Sequence, residues 1–344
     1  MTEESIPLLA ESYTAYGKQS FTRNWVRTMR QSVVINGDNS TVSAICHGLL
    51  KALDSHVTWT LSRAFNPGLL SGIILPNEKI AIIGHSGRLS PWTQHTVSHT
   101  LIIPENHQAQ LDGQDPQVPH SVYRHLFIAK EYLQDLENLW TGVHSLTGRI
   151  EALEHDLIRS LSQSAPPFSS SSVETYHAFR SSLTSRGPFS FAHNDGARNI
   201  KRTLIASPLG SGVPAMLKRL GQKARQMGYR VLLLHCGLDP SHIDHVYFPD
   251  VSWLVSHNIA PHSTVPAPYD KVIDLTDGFG ADLKNLSLKI EKFSYLYAQA
   301  YNHAWEDFSR VPGSCCLRNY SSDAGFWIQE ILSLAPLQSF THNR

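Results

Sequence analysis

The stretch Thr203–Leu220, TLIASPLGSGVPAMLKRL, decides the fold. Four apolar or β-branched residues (Thr203 to Ala206) read as a short buried strand. Small residues from Ser207 to Gly212 read as a loop, and the remainder as the first turns of a helix. Strand, Gly-rich loop and helix is the layout in which backbone N–H groups and a helix N-terminus cradle a phosphate. A working cradle of this kind opens on Gly and closes on Lys followed by Ser or Thr. Here Ser207 stands at the opening position, Val213 at the Lys position and Pro214 at the hydroxyl position. The frame is present and the Mg²⁺-phosphate chemistry is not.

Working outward, Ala215–Met227 reads as a helix with Leu217, Leu220 and Ala224 on one face and Gly228 as its stop. Arg230–Leu234, Val246–Pro249 and Ser252–Val255 then read as strands, with Asp239-Pro240 breaking the run. The same order occurs earlier. VVINGDNSTVSAICHGLL aligns with TLIASPLGSGVPAMLKRL, and FNPGLLSGIILPNEKIAIIGHS with LDPSHIDHVYFPDVSWLVSHN. In the earlier copy Val42, Ile45, Leu49 and Leu53 recur as a helix face would. A repeat of this length means a duplicated domain. Strands alternating with helices imply α/β architecture with mainly parallel sheets flanked by helices.

Each copy is followed by a helical tail. Ser121–Leu161 carries Leu133, Leu136, Trp140, Leu146, Ile150, Leu153 and Leu157 near heptad spacing, and Leu283–Phe308 is its counterpart. These tails could pair with each other or with a protein partner. Residues 1–24 read as a polar lead-in, and Ser162–Arg186 has linker composition. The expected division is residues 1–161 as one domain with its tail, 162–190 as linker and 191–344 as the second domain. Lys+Arg and Asp+Glu both number 29, so no basic excess points to nucleic acid. No apolar run is long enough for a bilayer, and a cytoplasmic protein with reduced thiols is expected.

The chain resembles the bacterial family of proteins with two P-loop NTPase-like domains in tandem, catalogued as ATPase-like or nucleotide kinase-like. The resemblance rests on His235-Cys236, Asp239-Pro240, Phe248-Pro249 and Ala260-Pro261-His262, in that order after the strand–loop–helix. It is specific over about Asn199–Asp282 and weaker over Arg30–Ser86. It implies two tandem P-loop NTPase-like domains and a nucleotide ligand. This sequence departs from it at both loop endings, and His257 stands where the resemblance implies an acidic residue.

The expected binding residues are therefore Ser207, Gly210, Ser211, Gly212, Val213 and Pro214 in the second copy and Gly37, Ser40 and Thr41 in the first. Gly210, Ser211 and Gly212 still offer backbone N–H groups, and a weakly held ATP or phosphate is the expected ligand. Asp38 brings a carboxylate into the first loop, which repels phosphate. The expected function is that of an NTPase relative without catalysis, acting in binding or scaffolding. One alternative is an ATPase or nucleotide kinase using Lys218 or Arg219 as replacement cation. A second is metal binding by His235, Cys236, His242, His245, His257 and His262. Asp239 and Asp244 are a conceivable acid/base pair, read as solvated loop carboxylates.

Overall fold

The computed structural model describes residues 5–54, 56–85, 97–103, 117–164, 174–191, 200–260, 263–276, 286–311 and 324–334. Pro261, His262, Cys315 and Cys316 lie outside them. In chain order the elements begin with β1 (Ser5–Leu9), β2 (Glu11–Thr14), β3 (Gly17–Ser20), α1 (Thr22–Thr28), β4 (Gln31–Asn36) and α2 (Asn39–Ala52). Then come β5 (Thr58–Ser62), β6 (Leu70–Leu75), β7 (Ile80–His85), β8 (His99–Ile102), α3 (His120–Thr141) and α4 (His144–Ser162). After these follow β9 (Thr175–Phe179), β10 (Ser181–Thr184), β11 (Gly187–Ser190), β12 (Lys201–Ala206) and α5 (Val213–Gln226). The last are β13 (Val231–His235), β14 (Ile243–Phe248), β15 (Trp253–His257), β16 (Lys271–Asp274), α6 (Ser287–Ser309) and α7 (Ala324–Leu334).

The fold is mixed α/β. By its contacts the chain forms two units, one of Met1–Glu11, Ser20–Gln117 and Val311–Arg344, the other of Ser12–Gln19 and Val118–Arg310. In the first unit the strands lie in the order β1, β5, β6, β7, β4, β8. Only β6 runs against its neighbours; β1–β5, β7–β4 and β4–β8 are parallel. In the second unit the order is β9, β13, β14, β15, β12, β16, again with only the third strand reversed. The same strand order, with the same reversed strand, thus occurs in both units. The sheets are more mixed than expected, because β5–β6–β7 and β13–β14–β15 are antiparallel meanders joined by short turns.

The helix faces read from periodicity are buried as expected: Val42, Ile45, Leu49 and Leu53 on α2, and Leu217, Leu220 and Ala224 on α5. Gly228 ends the α5 segment at φ +92°, a left-handed conformation that favours glycine, while the Tyr229 N–H donates back to the Ala224 carbonyl at 3.0 Å. Other segments differ from their reading. Residues 5–20 form three strands, and Ser5–Leu9 is buried along its whole length. Residues 175–190, read as linker, form β9, β10 and β11. Both misreadings have one cause. These strands are only four or five residues long and rich in Ser and Thr, so they carry no period to detect.

The tail read at Ser121–Leu161 breaks at Gly142 into α3 and α4. It packs in the second unit, where Leu136, Trp140, Leu146, Ile150, Leu153, Leu157 and Leu161 share one core with α5. Within that unit α3 and α6 lie antiparallel, with Tyr132 against Phe293 (6.3 Å between rings) and His125 against His303 (5.6 Å). In the first unit α7 takes the corresponding place on α2: Ile331 and Leu332 join the core with Leu49 and Leu53. A β-carbon on Gly48 would lie 2.2 Å from Ile328 Cδ1, so the Ile328 side chain of α7 packs directly on the bare backbone there. Each strand–loop–helix is therefore covered by a helix drawn from after the other copy.

Candidate functional site

In the second unit β12 ends at Ala206 and α5 begins at Val213, leaving the six-residue loop Ser207–Gly212. Gly210 and Gly212 sit at φ +80° and +83°, left-handed values that suit glycine. Gly212 is the N-cap of α5, and Pro214 lies in the first turn, where a missing N–H costs no helix bond. The interior of the loop is closed by its own side chains. Ser207 Oγ lies 2.6 Å from Ser211 Oγ and 2.8 Å from His257 Nε2. His257 reaches it because β15 pairs with β12 in a register that sets His257 beside Ile205. Ser207, Ser211 and His257 are all buried. Helix α3 covers the loop tip: a β-carbon on Gly210 would stand 2.9 Å from both Leu136 Cβ and the Glu137 backbone nitrogen.

Beside this loop opens a cleft of about 640 Å³, bounded by facing stripes of three helices. Helix α3 contributes Gln134, Glu137, Asn138 and Thr141, and α4 contributes Glu151, Glu154 and His155. From α5 and the loop come Gly210–Gly212, Pro214, Ala215 and Arg219. The i, i+3, i+4 spacing on each helix makes each set one face. Arg219, a candidate replacement cation, donates to Glu154 from Nε at 2.9 Å and Nη2 at 2.6 Å. His242 Nε2 lies 3.4 Å from Glu137 Oε1. Burial holds the Glu137 carboxyl above its usual range, Asp239 adding to this and His242 and Lys130 opposing it. Three carboxylates against one arginine oppose a polyanionic ligand. Nothing in the sequence of α3 and α4 singled these glutamates out, since polar residues opposite an apolar stripe are what any amphipathic helix carries.

Among its described residues the first unit has no comparable cradle. Helix α2 starts only two residues after β4, so Gly37 and Asp38 make the whole connection, and Ser40 and Thr41 belong to the first helical turn. The alignment without gaps concealed this shortening. Asp38 is the N-cap: its Oδ1 accepts from the backbone N–H of Ser40 at 3.0 Å and of Thr41 at 2.9 Å, and its Oδ2 accepts from Thr41 Oγ1 at 2.6 Å. The donors that would meet a phosphate at this helix end are taken by a carboxylate of the chain itself.

Of the candidate histidines, His262 lies outside the described residues, and the described ones do not converge. His235 Nδ1 donates to the Pro240 carbonyl at 2.5 Å, so its Nε2 accepts from His177 Nδ1 at 2.8 Å. His245 Nδ1 meets Ser256 Oγ at 2.5 Å, while His242 faces Glu137 and His257 the loop serines. Among the described residues no three His, Cys, Asp or Glu side chains are placed to hold a metal ion. Burial drives the Cys236 thiol well above its ordinary range and lowers His235 to about 4. Asp239 and Asp244 are buried rather than solvated, and Asp239 Oδ1 accepts from the Ser241 N–H at 2.9 Å. No helix among the described residues is long and apolar enough to cross a membrane. No family model, curated protein or solved structure matches the chain.

Proposed function

We propose that this chain is a P-loop NTPase relative that has given up catalysis and serves as a binding or scaffolding protein. The observation that carries the reading is that both helix N-termini where a phosphate would dock are already engaged from within. In the first, Asp38 accepts the two backbone N–H groups and the Thr41 hydroxyl. In the second, the Ser207–Ser211–His257 bonds fill the loop and the α3 backbone lies on Gly210. Arg219, which could have replaced the absent lysine, is paired with Glu154. A triphosphate in the adjoining cleft would face Glu137, Glu151 and Glu154. A binding role is supported by α6, which buries Ala300, Ala304 and Phe308 while Leu288 and Tyr295 stay 79% and 61% exposed.

The test is thermal unfolding with ATP, ADP and GTP, each with and without Mg²⁺, against an equal concentration of inorganic phosphate as baseline. A bound nucleotide at a hundred times its Kd would stabilise the protein by about 2.7 kcal/mol, a plainly visible rise. The expected result is no Mg²⁺-dependent nucleotide shift and no release of phosphate from ATP. A Mg²⁺-dependent shift, or turnover that an Arg219→Met variant lacks, would overturn the reading in favour of an enzyme.

A further inference from the structure

Arg63 follows directly on β5 in the first unit and is 7% exposed. Its backbone is fixed, since its N–H donates to the Leu69 carbonyl at 2.9 Å. Its guanidinium is not: Nε and Nη2 are buried and meet no hydrogen-bond acceptor. Arg202, Arg230 and Arg219, by contrast, have carboxylates. Arg202 offers the same two nitrogens to the two oxygens of Asp270, Arg230 pairs with Asp250 and Arg219 with Glu154. An isolated buried charge is strongly unfavourable, and a guanidinium stays charged at any relevant pH. The fork of Nε and Nη2 matches two oxygens of one planar or tetrahedral oxyanion.

Position adds a second, independent pointer. Five of the six strands in this sheet run the same way, so the carboxyl ends of β1, β5, β7, β4 and β8 lie along one edge. Arg63 stands at that edge, next to β1, whose following residue Ala10 donates to the Ser62 carbonyl at 3.3 Å. Ligands of open α/β sheets bind outside these carboxyl ends. We propose that Arg63 is the base of an anion site in the first unit, taking the phosphate or carboxylate group of a small ligand through Nε and Nη2. This site does not depend on the reading above. It is also peculiar to the first copy, since the residue that follows β13 in the second is Cys236.

The experiment is thermal unfolding of the full chain in EDTA at constant ionic strength, chloride being exchanged for inorganic phosphate, sulfate or acetate. The wild type should gain a few degrees in Tm as phosphate saturates. Arg159→Met, at a position 70% exposed, should respond like the wild type. Arg63→Met should lose the response, and in chloride alone it should melt no lower than the wild type, because it removes an uncompensated charge. Arg63→Lys, with charge but no fork, should respond weakly; if Arg63→Met fails to fold, this variant carries the comparison. A response to phosphate and sulfate alone marks a tetrahedral anion, and a response to acetate as well marks a carboxylate. No response in the wild type, or an equal response with Arg63 replaced, overturns the proposal.

Discussion

Replacing Asp38 by Ala separates a structural anion from a ligand site. The carboxylate accepts three hydrogen bonds, two from backbone N–H groups that α2 cannot otherwise satisfy and one from Thr41 Oγ1 at 2.6 Å. Losing a cap of this type costs about 0.5–2 kcal/mol. Because the Thr41 hydroxyl is stranded as well, Asp38→Ala should fall in the upper half of that range, about 1.3–2 kcal/mol. Asp38→Asn keeps an acceptor oxygen of the same reach and surrenders only the charge near the helix N-terminus, about 0.3–1 kcal/mol. The assay is urea unfolding, with Trp25 and Trp59 as reporters; both are fully buried in the same unit, their rings 5.7 Å apart. The midpoint should shift at unchanged m, the mark of a stability change without a change in compactness. If Asp38→Ala leaves the midpoint in place, the carboxylate is not the cap and the first helix end is free for another anion.

Two further outcomes test the second unit. Gly210→Ala and Gly212→Ala both force a side chain into left-handed backbone, at about 1–3 kcal/mol each. Only the Gly210 β-carbon runs into α3, where overpacking adds about 1–3 kcal/mol; nothing lies within 4 Å of the Gly212 β-carbon. Equal melting temperatures for the two variants would mean that α3 does not lie on the loop. Acidification tests the His177–His235 pair. His235 is lowered from 6.5 to about 4, chiefly by burial, so the unfolded chain takes up its proton first and stability falls as pH drops from about 6.5 toward 4. Between pH 7.5 and 5.5 this amounts to about 1.3 kcal/mol, lost by the wild type and not by His235→Asn. Parallel pH profiles of unfolding free energy for the two proteins would contradict the assignment.

Much of the fold was legible because the central strands and their helices are long enough to show a period. Val42, Ile45, Leu49 and Leu53 announced a buried face of α2, and Thr203–Ala206 announced β12. Residues 5–20 and 175–190 were illegible: strands such as Glu11–Thr14 and Ser181–Thr184 are buried yet polar, their hydroxyls satisfied inside the fold. Thr14 Oγ1, for one, donates to the Gly17 carbonyl at 2.9 Å. The shortening of the first loop was hidden for a different reason. Gly37-Asp38-Asn39-Ser40-Thr41 has loop composition, and Asp, Asn, Ser and Thr favour helix N-caps as much as turns. Of the site, the loop glycines could be read, while the closing contacts from α3 and His257 could not. Those arise from register and from a helix folded back from elsewhere in the chain.

The two helix ends hold one strand-to-helix frame by different means. A helix N-terminus beneath a strand leaves about four N–H donors that need acceptors whatever the function. In the first unit the connection is two residues long, and the nearest side chain, Asp38, supplies the negative oxygen. In the second the loop is six residues, too long for one N-cap to close. It is held by the Ser207–Ser211–His257 bonds inside and by α3 outside. Each solution suits its loop length and neither would suit the other. A short connection brings a carboxylate directly to the N–H groups, whereas a long loop needs a bridge across its width. A phosphate would have to displace Asp38 in one case, and α3 with its covering core in the other.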